Sequence, residues 1–600
     1  MSDAYSTLKK GGNLLAHAPT GIGKTAAALT PALECALREG RTVFFLTPKH
    51  TQHTIVVETA RSIVRKHGVK VVLVDIVGKQ WTCLHSVRQL ESREFNEFCK
   101  AKKREESCVY YNNVRRQKLS KRASAVVSEM KKEPLHNERV MELCSEHELC
   151  PYEVCIEAGK DANIIICDYF HLFSPPIRKA FLSKLRKTIE GSIIIVDEAH
   201  NLPERVRTLL SVNLSGYALG KAAGEAKNMG FLNLAEDFND VGRILGELGV
   251  GLRRGDERFV ECNEFTTMVE ANTSLRYDEL VSAAEELGDE VLSIPNRYRS
   301  YAKSVANFLK NWPEGGLGYA RILRKEKYMK LSYMCLDPSI SCREVFDKAF
   351  STILMSGTLV PLKMYSSVLG LETARTEMRE YPSPFPNENR LTLVVPQVTT
   401  KYSSRSDHMY RRYAELIRRI VEKTPGNAAV FYPAYQLMES VLNEMRKMSL
   451  GKKMLTEKQD MSKSQKRQLH KRLLEEKTAV LMGVQAGSLS EGVDYPDNTL
   501  DTVIIVGLPL EKPDLETNAL IEYYDFKFDR GWDYGYIYPA MNRALQAAGR
   551  CIRSETDKGA IVFMDERFMW RNYSKCFPAD LKLVVTEKPE EYLGRFFLKN

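Results

Sequence analysis

At 600 residues and 68.3 kDa the chain is too long for one hydrophobic core, because single cores stop growing near roughly 250 to 300 residues. With 44% hydrophobic and 27% charged residues it is neither disordered nor a low-complexity array, and several globular domains are expected. Its longest apolar runs, such as Ile193 to Val196, fall far short of the ~20 residues that cross a bilayer, which excludes membrane insertion. The first twelve residues lack a cleavable apolar stretch, so a cytoplasmic protein is expected, its thirteen cysteines reduced.

In chain order, the first predicted unit is strand, loop and helix. Asn13 to Ala16 is a short apolar run, a Gly-containing loop follows, and Thr25 to Glu39 is Ala/Leu-rich and predicts a helix. Further β-rich runs stand at Thr42 to Leu46, Val69 to Val74, Asn163 to Cys167 and Ser192 to Val196. Continuous Val/Ile/Phe runs of this kind predict parallel strands covered on both faces, hence a doubly wound α/β domain. A second set, at Ala428 to Tyr432, Ala479 to Gly483, Thr502 to Val506 and Ala560 to Met564, predicts a second α/β domain from roughly Tyr381 onward.

Two segments interrupt the first domain. Residues 81–157 are basic, Cys-rich and almost without strand-forming runs; residues 204–347 show helical periodicity at Gly220 to Leu248 and Tyr277 to Leu292, predicting a mostly helical insertion. The division is therefore 1–80, 158–203 and 348–380 for the first α/β domain, 381–600 for the second, and one insertion in each gap. The net charge is +10, and between Cys99 and Lys132 eleven Lys/Arg face three acidic residues, a local excess suited to a polyanion or to a solvated helical face.

The sharpest motif is Ala18-Pro19-Thr20-Gly21-Ile22-Gly23-Lys24-Thr25, a phosphate loop lacking only its first glycine. In such a loop Thr20, Gly21 and Gly23 leave backbone N–H groups to wrap phosphate oxygens, Lys24 neutralises the β/γ charge and the Thr25 hydroxyl ligates Mg²⁺. The second motif is Ile193 to Val196 followed by Asp197-Glu198-Ala199-His200. A buried strand ending in two carboxylates delivers Asp197 to Mg²⁺ and leaves Glu198 to orient and deprotonate a water. Together they predict hydrolysis of a nucleoside triphosphate.

Asp-Glu-Ala-His with an Ala-first phosphate loop resembles the superfamily 2 helicases. So do Ser356-Gly357-Thr358-Leu359, the stretch Ser490-Glu491-Gly492-Val493-Asp494, and Gln546-Ala547-Ala548-Gly549-Arg550-Cys551-Ile552-Arg553. The resemblance gives Gln546 and Asp494 to the nucleotide. Arg550 and Arg553, spaced i and i+3, are expected on one helical face reaching the γ-phosphate from the second domain. Gly78 to Cys83 and Cys150-Pro151-Tyr152 narrow the likeness to the XPD helicase family with its DinG and FancJ relatives, nearest to its standalone archaeal members, and Ser383 to Phe385, Ala434 to Gln436 and Asp565 to Phe568 extend it along nearly the whole chain.

That resemblance implies an ATP-dependent 5′-to-3′ DNA helicase, with DNA repair as its setting. Two RecA-like motor domains would carry a four-iron, four-sulfur domain and a helical arch. It implies single-stranded and forked or tailed duplex DNA as partners, a monomeric motor, and Cys83, Cys99, Cys108 and Cys150 as cluster ligands, with Cys144 the competitor of Cys108 and Cys155 another. The seven remaining cysteines read as core or surface residues. Lys24 follows Met1 by only 23 residues, so the chain is expected to start at an internal methionine or to bind the base weakly, and no adenine contact is assigned. Thr47, Lys79, Tyr169, Trp532 and Arg567 are the expected DNA contacts, as cations on phosphates and rings on bases. Two other readings stay open: an ATP-gated DNA clamp within a larger assembly, and an RNA helicase or translocase.

Overall fold

The computed structural model describes residues 1–598 apart from 20, 88, 116, 117, 296, 486, 492, 494, 497, 511 and 553, and the backbone but not the side chains of 51, 93 and 491. Two seven-stranded sheets, each parallel throughout, form its two lobes. In the first the spatial order is Thr376–Glu380, Asn13–His17, Ser351–Ser356, Ser192–Asp197, Thr42–Leu46, Ile164–Cys167 and Leu73–Asp75. In the second it is Lys453–Thr456, Ala479–Val484, Ala428–Tyr432, Thr502–Val506, Gly559–Met564, Arg390–Val395 and Leu583–Val585. The central strands are buried along their full length, as the continuous apolar runs demand.

Register does the positioning. His17 pairs with Ser356, Met355 with Asp197, and Val196 with Leu46, so the motifs that follow four separate strands emerge side by side at one end of the sheet. Carboxyl ends of parallel strands are where α/β sheets bind ligands.

The Cys-rich insertion is helical: Ser92–Arg104, Val109–Val114, Lys121–Lys132, Asn137–Glu146 and Pro151–Gly159. Its apolar side chains, Val126 and Met130 among them, join a buried cluster that continues through Phe44 and Ile194 of the first lobe to Phe431 and Ile505 of the second.

The second insertion is mostly helical, but not wholly so. Besides helices it holds an antiparallel sheet in the order Val212–Ser215, Met329–Cys335, Tyr319–Lys325 and Glu257–Phe259. Met329–Cys335 alternates buried and half-buried residues, a two-residue period that its charged neighbours mask. The single helical pattern expected over Gly220 to Leu248 is two helices, Gly216–Asn228 and Leu232–Leu248, divided at Gly230, whose φ of 87° suits glycine. Trp312, Phe265, Phe308 and Phe238 give this arch a core of its own.

The arch root also grips the second lobe. Tyr523 Oη and Lys527 Nζ donate to Asp337 at 2.6 and 2.7 Å, Arg324 Nη2 donates to Asp514 at 3.0 Å, and the backbone N–H of Leu515 donates to Glu257 at 2.9 Å. Helix Leu515–Phe528 is thereby held near both ends.

Candidate active site

The helix Lys24–Glu39 starts at the lysine itself, behind Gly23, and no side chain caps it. Gly21 and Gly23 have φ of 88° and 74°, a backbone that L side chains resist, so these two glycines let the loop turn into the helix. The first-turn N–H groups and the helix dipole form an anion cradle. Lys24 Nζ donates to the Pro19 carbonyl at 3.3 Å, and the Ala18 N–H ties the loop to the Ser356 carbonyl at 2.9 Å. Thr25 is half-buried in the first turn; Thr20 lies outside the described residues.

Asp197 ends its strand buried, and burial first, then Glu198, pushes its carboxyl up to about 7, with Lys24 pulling the other way. A buried acid held so close to neutrality suits a divalent cation, which would replace the proton; the Asp197 carboxylate and the Thr25 hydroxyl are hard oxygens of the kind Mg²⁺ prefers.

Glu198 sits at φ 50°, left-handed for a residue with a side chain. What holds that turn is Tyr169, 1% exposed, whose hydroxyl donates to the Asp197 carbonyl and, at 2.9 Å, to that of Glu198. Burial alone would raise the Glu198 carboxyl, but His200, Lys24, Lys49 and the Ser356 hydroxyl hold it below the ordinary carboxylate range. It is thus an anion at neutral pH, fit to accept a proton.

A hydrogen-bonded line runs from that carboxylate into the second lobe. Ser356 Oγ donates to Glu198 Oε2 at 3.2 Å, His200 Nδ1 lies 2.6 Å from Ser356 Oγ, and His200 Nε2 meets the Gln546 amide, which also donates to Thr358 Oγ1 at 3.1 Å. Burial lowers His200 to about 4, so the ring is neutral. Only the Nδ1–H tautomer serves every partner: Gln546 donates to Nε2, Nδ1–H donates to Ser356, and Ser356 donates to Glu198. Gln546, expected on the nucleotide, bridges the lobes instead.

The arginine expectation needs correction. Helix Tyr538–Ala548 ends at Gly549, so Arg550 follows the helix rather than riding its face, and its Nη1 donates to the Val493 carbonyl at 2.9 Å. Arg553 and Asp494 lie outside the described residues. The cleft is nonetheless shared: His17, Pro19, Gly357 and Thr358 of the first lobe line one cavity with Phe385, Ala548, Gly549 and Ile552 of the second.

Of the expected DNA contacts, three are buried. Thr47 hydrogen-bonds Gln52; Tyr169 braces the carboxylate turn; Arg567, 8% exposed, donates to Asp565 at 2.9 Å and to Thr400 at 2.5 Å. These side chains stabilise the lobes and present nothing to a strand. Trp532 is 56% exposed, its ring edge-on to Tyr536, and Lys79 is half-buried over the Tyr152 ring at 4.9 Å.

Cys83, Cys99, Cys108 and Cys150 line one cavity with Phe95, Phe98 and Tyr110. Burial raises Cys83 and Cys99 and lifts Cys150 to about 12, while Lys103 and Lys79 favour the Cys99 thiolate. Cys144 is wholly buried and absent from that cavity, as is Cys155, which separates both from the set. Among the described residues no three His, Cys, Asp or Glu side chains gather around a point that could hold an ion. A single tetrahedral zinc, with Zn–S near 2.3 Å, would need its sulfurs within about 4 Å of each other. Four thiols lining one mostly apolar cavity match the ligand number and type of a four-iron cluster. No helix among the described residues is long and apolar enough to cross a membrane.

Two family models match the chain, DEAD_2 over residues 45–219 and a helicase C-terminal domain over 417–583. The ATP-dependent DNA helicase XPD of Sulfolobus acidocaldarius is 25% identical over 583 residues, 94% of each chain. The general transcription and DNA repair factor IIH helicase subunit XPD/RAD3 of Saccharomyces cerevisiae is 22% identical, over 95% of this chain and 85% of its own. Among solved structures an XPD helicase superposes with a TM-score of 0.69 at 22% identity over 98% of both chains, and Xpd4 of S. tokodaii with 0.63 at 16% identity over 97% of this chain and 98% of its own.

Proposed function

We propose, from the similarity of the chain to the XPD helicases, that it is an ATP-driven DNA helicase of that family that moves 5′ to 3′ along a single strand and opens duplex ahead of it, serving DNA repair. The observation that carries this reading is the line Gln546–His200–Ser356–Glu198, which joins the hydrolytic carboxylate to the second lobe.

ATP lies with its phosphates on the first turn of helix Lys24–Glu39. Lys24 exchanges the Pro19 carbonyl for the β/γ oxygens, and Asp197 with Thr25 would hold Mg²⁺, which neutralises phosphate charge when bound. Glu198 orients the attacking water and takes its proton. Closing brings Arg550 and Arg553 to the γ-phosphate; hydrolysis releases them, and Gln546 passes the change between lobes. Cys83, Cys99, Cys108 and Cys150 would hold a four-iron, four-sulfur cluster that shapes the insertion beside the strand. Lys79 and Trp532 touch DNA.

The test is strand displacement on a 5′-tailed duplex by the parent and by Lys24→Ala. The parent unwinds it and is stimulated as an ATPase by single-stranded DNA more than by RNA; Lys24→Ala loses DNA-stimulated hydrolysis while keeping its iron. Retained hydrolysis in that variant refutes the site. Hydrolysis without displacement by the parent would favour a clamp.

A further inference from the structure

One residue of the cysteine cavity has no part in the motor and is not itself a cysteine. His85 lies two residues after Cys83 and lines the same cavity. Its Nε2 stands 3.5 Å from Cys108 Sγ, and its backbone N–H favours the Cys83 thiolate. The ring is held in place edge-on to Tyr110, with centroids 4.9 Å apart at 73°, and edge-on to Phe98, 5.5 Å apart at 84°. Phe98 in turn packs against Tyr298 of the arch, 5.1 Å away at 85°.

We propose that His85 is a positioning residue that donates two N–H···S hydrogen bonds, from its backbone to Cys83 and from its ring to Cys108, and so sets the reduction potential of an iron–sulfur cluster in this cavity. The inference rests on the cluster reading given above. A ligating cysteine is a thiolate, which only accepts hydrogen bonds, so the ring nitrogen facing Cys108 carries the proton. An N–H aimed at a cluster sulfur withdraws electron density and favours the reduced, more negative state; such hydrogen bonds are among the levers that set cluster potentials. The two edge-on rings keep the imidazole from turning its nitrogen away.

The experiment compares the full-length parent with His85→Phe, which keeps a ring between Phe98 and Tyr110 but removes the donor, and His85→Gln, which keeps an N–H. Iron and sulfide per chain are assayed, and the midpoint potential is measured by protein-film voltammetry. The proposal expects four irons in all three, a more negative potential in His85→Phe, and a potential between the two in His85→Gln. It is overturned if His85→Phe keeps the parent's potential, or if that variant alone loses iron, which would make the imidazole a ligand or a support of the fold. A parent purified anaerobically that binds no iron sinks the cluster reading itself, a different and separately visible result.

Discussion

The nucleotide site and the cysteine cavity place charge in opposite ways. At the first, several polar groups already have partners: Lys24 rests on a carbonyl, Glu198 on Ser356 and Gln52, His200 between Ser356 and Gln546. At the second, thiols face an apolar cavity and are driven toward their neutral forms by burial. One region is pre-organised before its ligand arrives, so ligand binding exchanges one set of hydrogen bonds for another. The other is desolvated, so a metal group held by its thiolates would offset the cost of burying them.

The sharpest way to break this contrast is Glu198→Gln. The amide keeps the shape and can still accept from Ser356, but it cannot take a proton. Hydrolysis should fall by about 10² to 10⁴, with nucleotide affinity within a few fold by a fluorescent-analogue titration; a loss of less than ten-fold would place the base elsewhere. Next in size is Cys83→Ser, which should abolish the brown chromophore and strand displacement while appreciable ATPase persists. Full unwinding without iron would detach the cavity from the mechanism.

The pH dependence separates the two regions further. With its carboxyl raised to about 7, Asp197 must lose a proton to bind Mg²⁺. Below pH 7 the apparent Mg²⁺ affinity should fall about ten-fold per unit, and above about 8 it should level off, as measured by Mg²⁺ titration of nucleotide binding. In the metal-free protein the sign for folding is reversed. An acid whose folded pKa lies above its unfolded value contributes fully below about 4, and that contribution is lost as pH rises through 7. The smallest effect is expected from Tyr169→Phe, which removes the hydroxyl bracing the Asp197-Glu198 turn. About 1 kcal/mol, or a Tm drop of about 2 to 4 °C for the lobe, should follow; an unchanged Tm and ATPase would show that the turn holds itself.

The parts of this molecule legible in its sequence are those whose cause is local. Val/Ile runs marked the buried strands because a strand covered on both faces needs no alternation, and the phosphate loop was visible because its backbone needs glycine at Gly21 and Gly23. The arch sheet was hidden, since Tyr319–Lys325 carries three basic side chains among its buried ones. Edge strands such as Thr376–Glu380, half-exposed and rich in charge, gave no signal either. The inward turn of Tyr169 and Arg567 has a tertiary cause: an aromatic or a cation after a strand looks the same in sequence whether it faces a ligand or turns to the Asp197 carbonyl or to Asp565. The tie from Gln546 to His200 spans 346 positions, and no spacing rule reaches so far.

The clasp between Asp337, Arg324 and the helix Leu515–Phe528 has a mechanical corollary. A hinge with a strut fixed to both leaves cannot swing without either dragging the strut or shearing its bolts. Any swing of the lobes would therefore tug the arch along or part these half-exposed ionic fasteners, and in either case the far end of the molecule would feel it.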